Sequence, residues 1–133
     1  MMLNLADTSV RLYRKKNGKV SVKLRSYLMV ETNAGFRLSA YLRAISCALT
    51  FPNGRTMEFD EVSFTHDLEC KYQQNTMVHG FWASGTTEMK KLENGVGKLR
   101  MNYWLNFTSH PSEEPCSVDY VVPIIRRRSA YGL

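Results

Sequence analysis

Apolar and polar residues alternate with a period of two through most of this 133-residue chain. Such a period is typical of β-strands that turn one face toward a core and the other toward water. Turn residues divide the alternation into seven predicted strands, which cover residues 8–15, 19–31, 36–51, 55–72, 77–92, 96–109 and 116–126. The pattern therefore predicts an all-β protein.

Three Asn-Gly pairs, which end at Gly18, Gly54 and Gly95, stand between alternating runs and indicate β-hairpins. Residues opposite each other in an antiparallel pair share a face, so apolar residues must meet apolar ones. A two-residue loop in the first hairpin would place Leu12 opposite Lys23, whereas a loop over residues 16–18 places Leu12 opposite Val22. We therefore predict three-residue loops with each glycine at positive φ.

The same argument sets the register of the other two hairpins. A loop over residues 52–54 places Leu49 opposite Met57. A loop over residues 93–95 gives the pairs Met89–Leu99, Ala83–Leu105 and Phe81–Phe107, with Glu88–Arg100 and Trp82–Asn106 on the outer face. Successive hairpins of one kind predict an antiparallel meander in which each strand pairs with the next.

The segment 36–51 admits a second interpretation, because Leu38, Leu42, Ile45 and Leu49 also fit the stripe of an α-helix. The strand is favoured because a Pro-Asn-Gly turn follows the segment. Extending that hairpin also pairs Leu42 with Phe64 and Leu38 with Leu68, which keeps apolar residues together.

The apolar face of both strands in this hairpin changes between odd and even positions. The change falls near Ala44 in one strand and near Asp60 and Glu61 in the other. A coordinated change predicts a β-bulge or a sharp bend. We therefore expect a closed barrel or a sandwich that forms one domain over residues 1–133, with its strands in residues 8–126 and a flexible tail over 127–133.

The composition is that of an ordinary globular chain, with 44% hydrophobic and 23% charged residues, which excludes a disordered or collagen-like protein. The net charge is +6 and the pI is about 9.4, which favours an acidic partner. Cys47, Cys70 and Cys116 are too few and too widely spaced for a disulfide framework, so we expect buried, reduced thiols in a cytoplasmic protein. No apolar run reaches the length of a membrane helix, so no membrane partner is expected.

Motifs of catalysis are absent from the sequence. It contains no nucleophile elbow, no phosphate-binding loop and no dinucleotide fingerprint. Its histidines and cysteines do not have the number or spacing of zinc ligands. We therefore expect a protein that is not an enzyme and that has no cofactor and no metal site.

Basic residues and aromatic rings share the outer faces of two predicted strand sets. The predicted binding residues are Arg11, Tyr13, Lys23, Arg25 and Tyr27 in the first hairpin and Lys98, Arg100 and Trp104 in the sixth strand. Cations interleaved with rings are what a surface for single-stranded nucleic acid needs. The same residue types also suit exposed strands and sheet edges that bind nothing.

Two functions are consistent with these features. The first is a non-enzymatic binding module that recognises the acidic surface of another protein, as inhibitors, immunity proteins and accessory factors do. The alternative is a protein that binds single-stranded nucleic acid. A third hypothesis is a small-ligand carrier barrel with Phe81, Trp82, Tyr103 and Trp104 at its mouth. The sequence leaves the partner's identity and the oligomeric state open, a homo-oligomer included.

Overall fold

The computed structural model describes residues 2–31, 40–65, 76–92, 94–107 and 116–127. These residues form strands and, within those ranges, no helix. The strands are β1 (Met2–Arg14), β2 (Val20–Glu31), β3 (Ala40–Thr50), β4 (Thr56–Glu58), β5 (Glu61–Phe64), β6 (Thr76–Thr87), β7 (Gly95–Phe107) and β8 (Cys116–Arg127). The predicted all-β class is confirmed. That the whole chain is one domain stays a prediction.

The predicted strand positions agree with these bounds except in three places, one of which is that β6 ends at Thr87 rather than at residue 92. In the other two, β1 begins at Met2 rather than at residue 8, and the described part of the predicted strand over residues 55–72 is broken into β4 and β5. The helical interpretation of residues 40–50 is wrong, because β3 pairs along its length with β4 and β7. Residues 36–39, residues 66–72 and the tail beyond Arg127 lie outside the described residues, and so does the predicted pair of Leu38 with Leu68.

The first two predicted hairpins are confirmed. Leu12 is opposite Val22 across the β1–β2 turn, and Leu49 is opposite Met57 across the β3–β4 turn. Gly18 and Gly54 have φ values of 82° and 88°, the left-handed region that glycine adopts without steric cost. Each glycine N–H donates to the carbonyl three residues earlier, at 3.1 Å and 2.9 Å, which closes the three-residue loops over residues 16–18 and 52–54.

The third Asn-Gly pair does not form a hairpin. β6 pairs with β2 and β5, whereas β7 pairs with β3 and β8. β6 and β7 are therefore not neighbours in the sheet. The predicted pair of Met89 with Leu99 is therefore wrong, together with the other pairs of that hairpin. The Asn94 side chain instead accepts a hydrogen bond from the Arg126 backbone N–H at 2.7 Å, and Gly95 (φ 157°) is the first residue of β7.

The strands form one sheet in the order β4-β3-β7-β8-β1-β2-β6-β5. All neighbouring pairs are antiparallel except β1 and β8, which are parallel. The predicted simple meander is wrong, because β2 lies beside β6 and β3 lies beside β7. The sheet curls into a half-barrel, so the described residues form neither the predicted closed barrel nor the predicted sandwich.

The predicted bulge and bend are confirmed. The register of β3 against β7 shifts between Arg43 and Ser46, and the neighbouring strand is interrupted between β4 and β5. At the interruption the Phe59 N–H donates to the Cys47 carbonyl of β3 at 3.0 Å. The next N–H, that of Asp60, donates to the Ser84 carbonyl of β6 at 2.9 Å. The chain therefore leaves one end of the strand order and joins the other end within two residues.

This crossing overturns the register that we predicted beyond the bend. Leu42 and Phe64 do not pair. Leu42 is opposite Leu105 of β7, and Phe64 is opposite Phe81 of β6. Apolar residues still meet apolar residues, so the hydrophobic pattern of these strands is compatible with more than one set of partners.

The core fills the concave side of the curled sheet. It includes Val10, Leu12, Val22, Leu24, Leu28, Cys47, Leu49, Phe51, Met57, Phe59, Phe81, Ala83, Leu99, Met101, Tyr103, Val122 and Ile124. Burial raises the pKa of the Cys47 thiol to about 12. The predicted buried, reduced state is confirmed for Cys47. Cys70 and the side chain of Cys116 lie outside the described residues.

Candidate binding cleft on the outer face of the sheet

Arg11, Lys23 and Arg25 lie on the outer face of the sheet, which is the face opposite the core. Val10 and Leu12 of β1 and Val22 and Leu24 of β2 are buried, so the period of two turns the residues between them outward. Arg11 is directly opposite Lys23, and Ser9 is opposite Arg25. Three cations therefore occupy adjacent positions on two neighbouring strands.

β6 adds an aromatic ring to these cations. Its inward residues Phe81 and Ala83 are buried in the core, which turns Trp82 and Ser84 outward. Because β6 pairs with the free edge of β2, Trp82 is opposite Arg25 and Ser84 is opposite Lys23. The sequence pattern did not indicate this contribution, since the third predicted hairpin placed Trp82 opposite Asn106. The alternation in β6 marked Trp82 as an outer residue, but nothing local named β2 as its neighbour.

β5 closes the other side of this region with polar residues. Glu61 is opposite Ser84, and Ser63 is opposite Trp82. Two rows of side chains thus cross four strands at right angles to the chain, one over Arg11, Lys23, Ser84 and Glu61 and the other over Ser9, Arg25, Trp82 and Ser63. The first row runs from cations on β1 and β2 to a carboxylate on β5.

The two rows line a cleft of about 350 Å³, which we call the outer cleft. Its lining residues are Ser9, Arg11, Tyr13, Lys23, Leu24, Arg25, Glu61, Ser63, Trp82, Ala83 and Ser84. A second cleft of about 200 Å³ adjoins it and shares Lys23, Glu61 and Ser84, while it adds Lys15 and Asp60. The two clefts are adjacent because they share these three residues.

The Trp82 ring rests over a glycine. A Cβ atom placed on Gly80 would lie 3.0 Å from Cη2 and 3.5 Å from Cζ2 of the indole, so a larger residue there would require the ring to shift by a few tenths of an ångström. Gly80 is opposite Tyr27 of β2. Trp82 and Tyr27 are each 43% exposed, which leaves part of each ring open to solvent. Tyr27 lies beside the outer cleft rather than in its lining.

The three cations of the outer cleft form no ion pair with the described residues. The Nε atom of Arg11 is buried and has no hydrogen-bond partner in the described part of the chain. A buried donor without an acceptor costs free energy, so such atoms are uncommon. The electrostatics of the cleft therefore favour an anionic ligand.

The second predicted set, Lys98, Arg100 and Trp104, lies on the outer face of β7. β8 separates β7 from β1, so this set is not part of the outer cleft. Arg100 pairs with Asp119 of β8 through Nε–Oδ1 at 2.8 Å and Nη2–Oδ2 at 3.1 Å. These hydrogen bonds from Arg100 hold the pKa of Asp119 below its usual value. We call this region the β7–β8 surface.

Two predictions about these residues are wrong. Glu88 is not opposite Arg100, because β6 and β7 are not neighbours in the sheet and Asp119 of β8 is opposite Arg100. The proposed barrel mouth is not formed either. Phe81 and Tyr103 are buried in the core, whereas Trp82 and Trp104 are outer residues of strands that are not neighbours.

Exposed apolar residues lie between the two basic regions. Val121, Pro123 and Ile125 face outward on β8, and Val121 is 71% exposed. Val96 of β7 is opposite Pro123, and Ile125 is opposite Arg11 of β1. The apolar strip of β8 therefore borders the outer cleft on its Arg11 side.

Comparison of the chain with family models, with curated proteins and with solved structures finds no match. Within the described ranges, no helix has the length and apolar character needed to cross a membrane. The same residues contain no cluster of three or more His, Cys, Asp or Glu side chains that could hold a metal ion. The candidate site rests on the geometry of the outer cleft.

Proposed function

We propose that this protein is a non-catalytic binding protein that holds single-stranded nucleic acid in its outer cleft. The observation that carries the proposal is the union of three cations with the rings of Tyr13 and Trp82 around one cleft. Cations attract the phosphate backbone, and an exposed ring offers a flat face on which a base of any kind can stack. The two requirements of single-strand binding meet in this cleft.

The distribution of charge gives the bound strand an orientation. The cations lie on β1 and β2, whereas Glu61 lies at the β5 end of the same row. The phosphates therefore lie over the side chains of Arg11, Lys23 and Arg25. The base lies toward β6, against the ring of Trp82.

The acidic surface of a protein is the second candidate for the partner. The observation that favours it is the apolar strip of β8, because Ile125 is opposite Arg11 and Val121 is largely exposed. Protein interfaces combine arginine and aromatic residues with an apolar centre. A nucleic acid makes less use of aliphatic side chains, so contact with this strip would distinguish a protein partner.

The salt dependence of binding tests the proposal. Fluorescence anisotropy would measure the affinity of the protein for labelled oligothymidylate and for a labelled peptide of Asp and Glu at several salt concentrations. For the oligonucleotide, log K should fall linearly with log salt, by about 0.7 for each phosphate neutralised. The variant Lys23→Ala should lower that slope by about 0.7, since it removes one phosphate contact.

Lys91→Ala is the matched control, because Lys91 is an exposed lysine that does not line the outer cleft. It should leave the slope unchanged. Tight binding of the peptide together with no binding of the oligonucleotide at low salt would overturn the proposal in favour of a protein partner.

A further inference from the structure

We infer that this protein has a second anion-binding site, which holds a phosphate group at the end of the half-barrel where the β1–β2 and β3–β4 turns lie. The site is a cleft of about 480 Å³ that we call the end cleft. Its lining residues are Arg14, Asn17, Gly18, Lys19, Arg55, Glu88, Met89 and Lys90. None of them lines the outer cleft, so the inference goes beyond the proposed function and does not depend on it.

The cations of the end cleft come from three separate segments of the chain. Arg14 and Lys19 flank the β1–β2 turn, Arg55 directly precedes β4, and Lys90 follows β6. The acidic residue of the lining is Glu88. Within the described ranges, neither these four cations nor Glu88 forms an ion pair. Positive charge is therefore in excess in the end cleft.

Neutral acceptors hold the guanidinium group of Arg14. By the period of two, Arg14 occupies the inward position that follows the buried Leu12, where the core ends. Its Nη1 donates to the Gly18 carbonyl at 3.0 Å and to the Met89 carbonyl at 2.8 Å, and its Nη2 donates to the Lys90 carbonyl at 3.2 Å. Because carbonyl groups have no net charge, they orient the guanidinium and leave its positive charge uncompensated.

Arg55 is oriented in the same way. Its Nη1 donates to the Glu88 carbonyl at 2.6 Å. A guanidinium has five N–H donors, of which Arg14 uses three and Arg55 uses one in these bonds. Both arginines therefore keep donors for a ligand. A charged group whose position is fixed in advance loses less entropy when a ligand binds, which favours binding.

A phosphate group suits this arrangement better than a carboxylate does. A guanidinium binds phosphate through two parallel N–H···O bonds, and lysine contributes a point charge. Cations from three segments surround the cleft, and the oxygens of a tetrahedral phosphate point in several directions, whereas a carboxylate has two oxygens in one plane. A volume of about 480 Å³ is within the range of small-molecule sites. The phosphate group could therefore belong to a free molecule or to the end of a bound strand.

Titration with pyrophosphate tests the end cleft. In ¹⁵N NMR spectra, the amide signals of Gly18 and Lys90 should shift as pyrophosphate is added, and acetate should bind at least about tenfold more weakly. The double variant Lys19→Ala with Lys90→Ala removes two exposed lysines of the lining. It should weaken the pyrophosphate binding seen at the Gly18 signal at least about tenfold, because charge-assisted hydrogen bonds are lost.

Lys91→Ala with Lys98→Ala is the matched control, because it makes the same change in net charge with two exposed lysines outside the end cleft. It should bind pyrophosphate as the wild type does. Both double variants should melt close to the wild type, since exposed charges contribute little to stability. Equal pyrophosphate binding by the two double variants would overturn the inference. Unchanged Gly18 and Lys90 signals in the wild type would also overturn it.

Oligothymidylates with and without a terminal phosphate identify the source of the phosphate group. If a strand held in the outer cleft reaches the end cleft, a 5′- or 3′-phosphate should raise its affinity several fold in the wild type but not in Lys19→Ala with Lys90→Ala. If the ligand is a free molecule, the terminal phosphate should have the same effect in both proteins, while pyrophosphate still shifts the Gly18 signal. Either result supports the phosphate site. Failure of every oligonucleotide to bind would overturn the proposed function alone, provided that pyrophosphate binds.

Discussion

The outer cleft and the β7–β8 surface have the same sequence pattern but differ in whether their cations are paired with a carboxylate. Both combine cations with a tryptophan on the outer face of the same sheet. On the β7–β8 surface, the neighbouring strand β8 places Asp119 opposite Arg100, and the two side chains pair. In the outer cleft, β6 places Ser84 and Trp82 opposite Lys23 and Arg25, and the cations stay unpaired among the described residues.

The difference shows that a basic strand acquires or loses a binding surface through its neighbours. The alternation along β2 and β7 determines only which side chains face outward. The identity of the adjacent strand then decides whether a carboxylate neutralises each cation or a ring extends the surface. An exposed ion pair contributes little to stability, so the main effect of Asp119 is on the surface potential.

Charge reversal on the two surfaces should give the largest contrast. Lys23→Glu with Arg25→Glu should weaken binding of oligothymidylate at least a hundredfold, about 3 kcal/mol, because phosphates would then meet two like charges. Lys98→Glu with Arg100→Glu makes the same change in net charge on the β7–β8 surface and should weaken binding only a few fold. Anisotropy titrations at one salt concentration measure both effects.

Thermal unfolding provides the control for both double variants. Exposed charges usually change the free energy of unfolding by no more than about 0.5 kcal/mol, so both proteins should melt close to the wild type. Equal losses of affinity in the two double variants would mean that net charge rather than the outer cleft governs binding. The outer cleft would then bind the oligonucleotide no better than the β7–β8 surface does.

The two tryptophans offer the next contrast. Trp82→Ala should cost about 1–3 kcal/mol of binding free energy, because it removes a stacking face from the outer cleft. Trp104→Ala should cost much less, since Trp104 lies on the β7–β8 surface. Gly80→Ala sharpens the comparison, because its new Cβ would approach the Trp82 ring to 3.0 Å and shift it by a few tenths of an ångström without removing it. We expect an intermediate loss of affinity by anisotropy for Gly80→Ala, and no loss would show that the ring position does not matter.

Turn residues and the alternation of nearby apolar residues predicted two hairpins and the bulge in β3. The hairpin loops at Gly18 and Gly54 follow from turn chemistry and from matching apolar residues a few positions apart. The bulge in β3 followed from the change of apolar face near Ala44. Each of these features depends on a single hairpin, so the sequence of that hairpin contained the information.

The order of the strands could not be predicted in the same way. Pairing β6 with β2 rather than with β7 satisfies the same alternation, because Phe81 and Ala83 face the core in either arrangement. The parallel pair of β1 and β8 joins opposite ends of the chain, and no turn signal marks it. The cations of the candidate site were therefore predictable from one hairpin, whereas Trp82 and Glu61 joined them only through long-range pairing.

The hairpin that carries the cations should lose stability without losing its binding specificity when its turn is altered. Gly18→Ala should lower the free energy of unfolding by about 1 kcal/mol, because a Cβ disfavours the positive φ of 82°. A Cβ there would meet nothing within 4 Å, so the cost comes from the backbone alone. Urea unfolding measures the change. Gly18→Asn should recover part of it, since asparagine tolerates the left-handed region, and a stability equal to the wild type in Gly18→Ala would contradict the assigned turn.

Removal of the ion pair on the β7–β8 surface should give the smallest effect, which is a change in the pKa of the Asp119 carboxyl group. Arg100 lowers the pKa of Asp119 below its ordinary value of 3.8, first through their hydrogen bonds. Because the folded-state pKa is depressed, the stabilisation by Asp119 is complete above the unfolded pKa and disappears as the pH falls through the folded pKa. In Arg100→Gln the NMR titration of the Asp119 carboxyl should move up toward 3.8, although Lys98 still lowers it slightly. Lys91→Gln removes a charge elsewhere and should leave that titration unchanged. If Asp119 titrated alike in all three proteins, Arg100 would be an unpaired cation in solution, and the β7–β8 surface would no longer differ from the outer cleft in the way the structure shows.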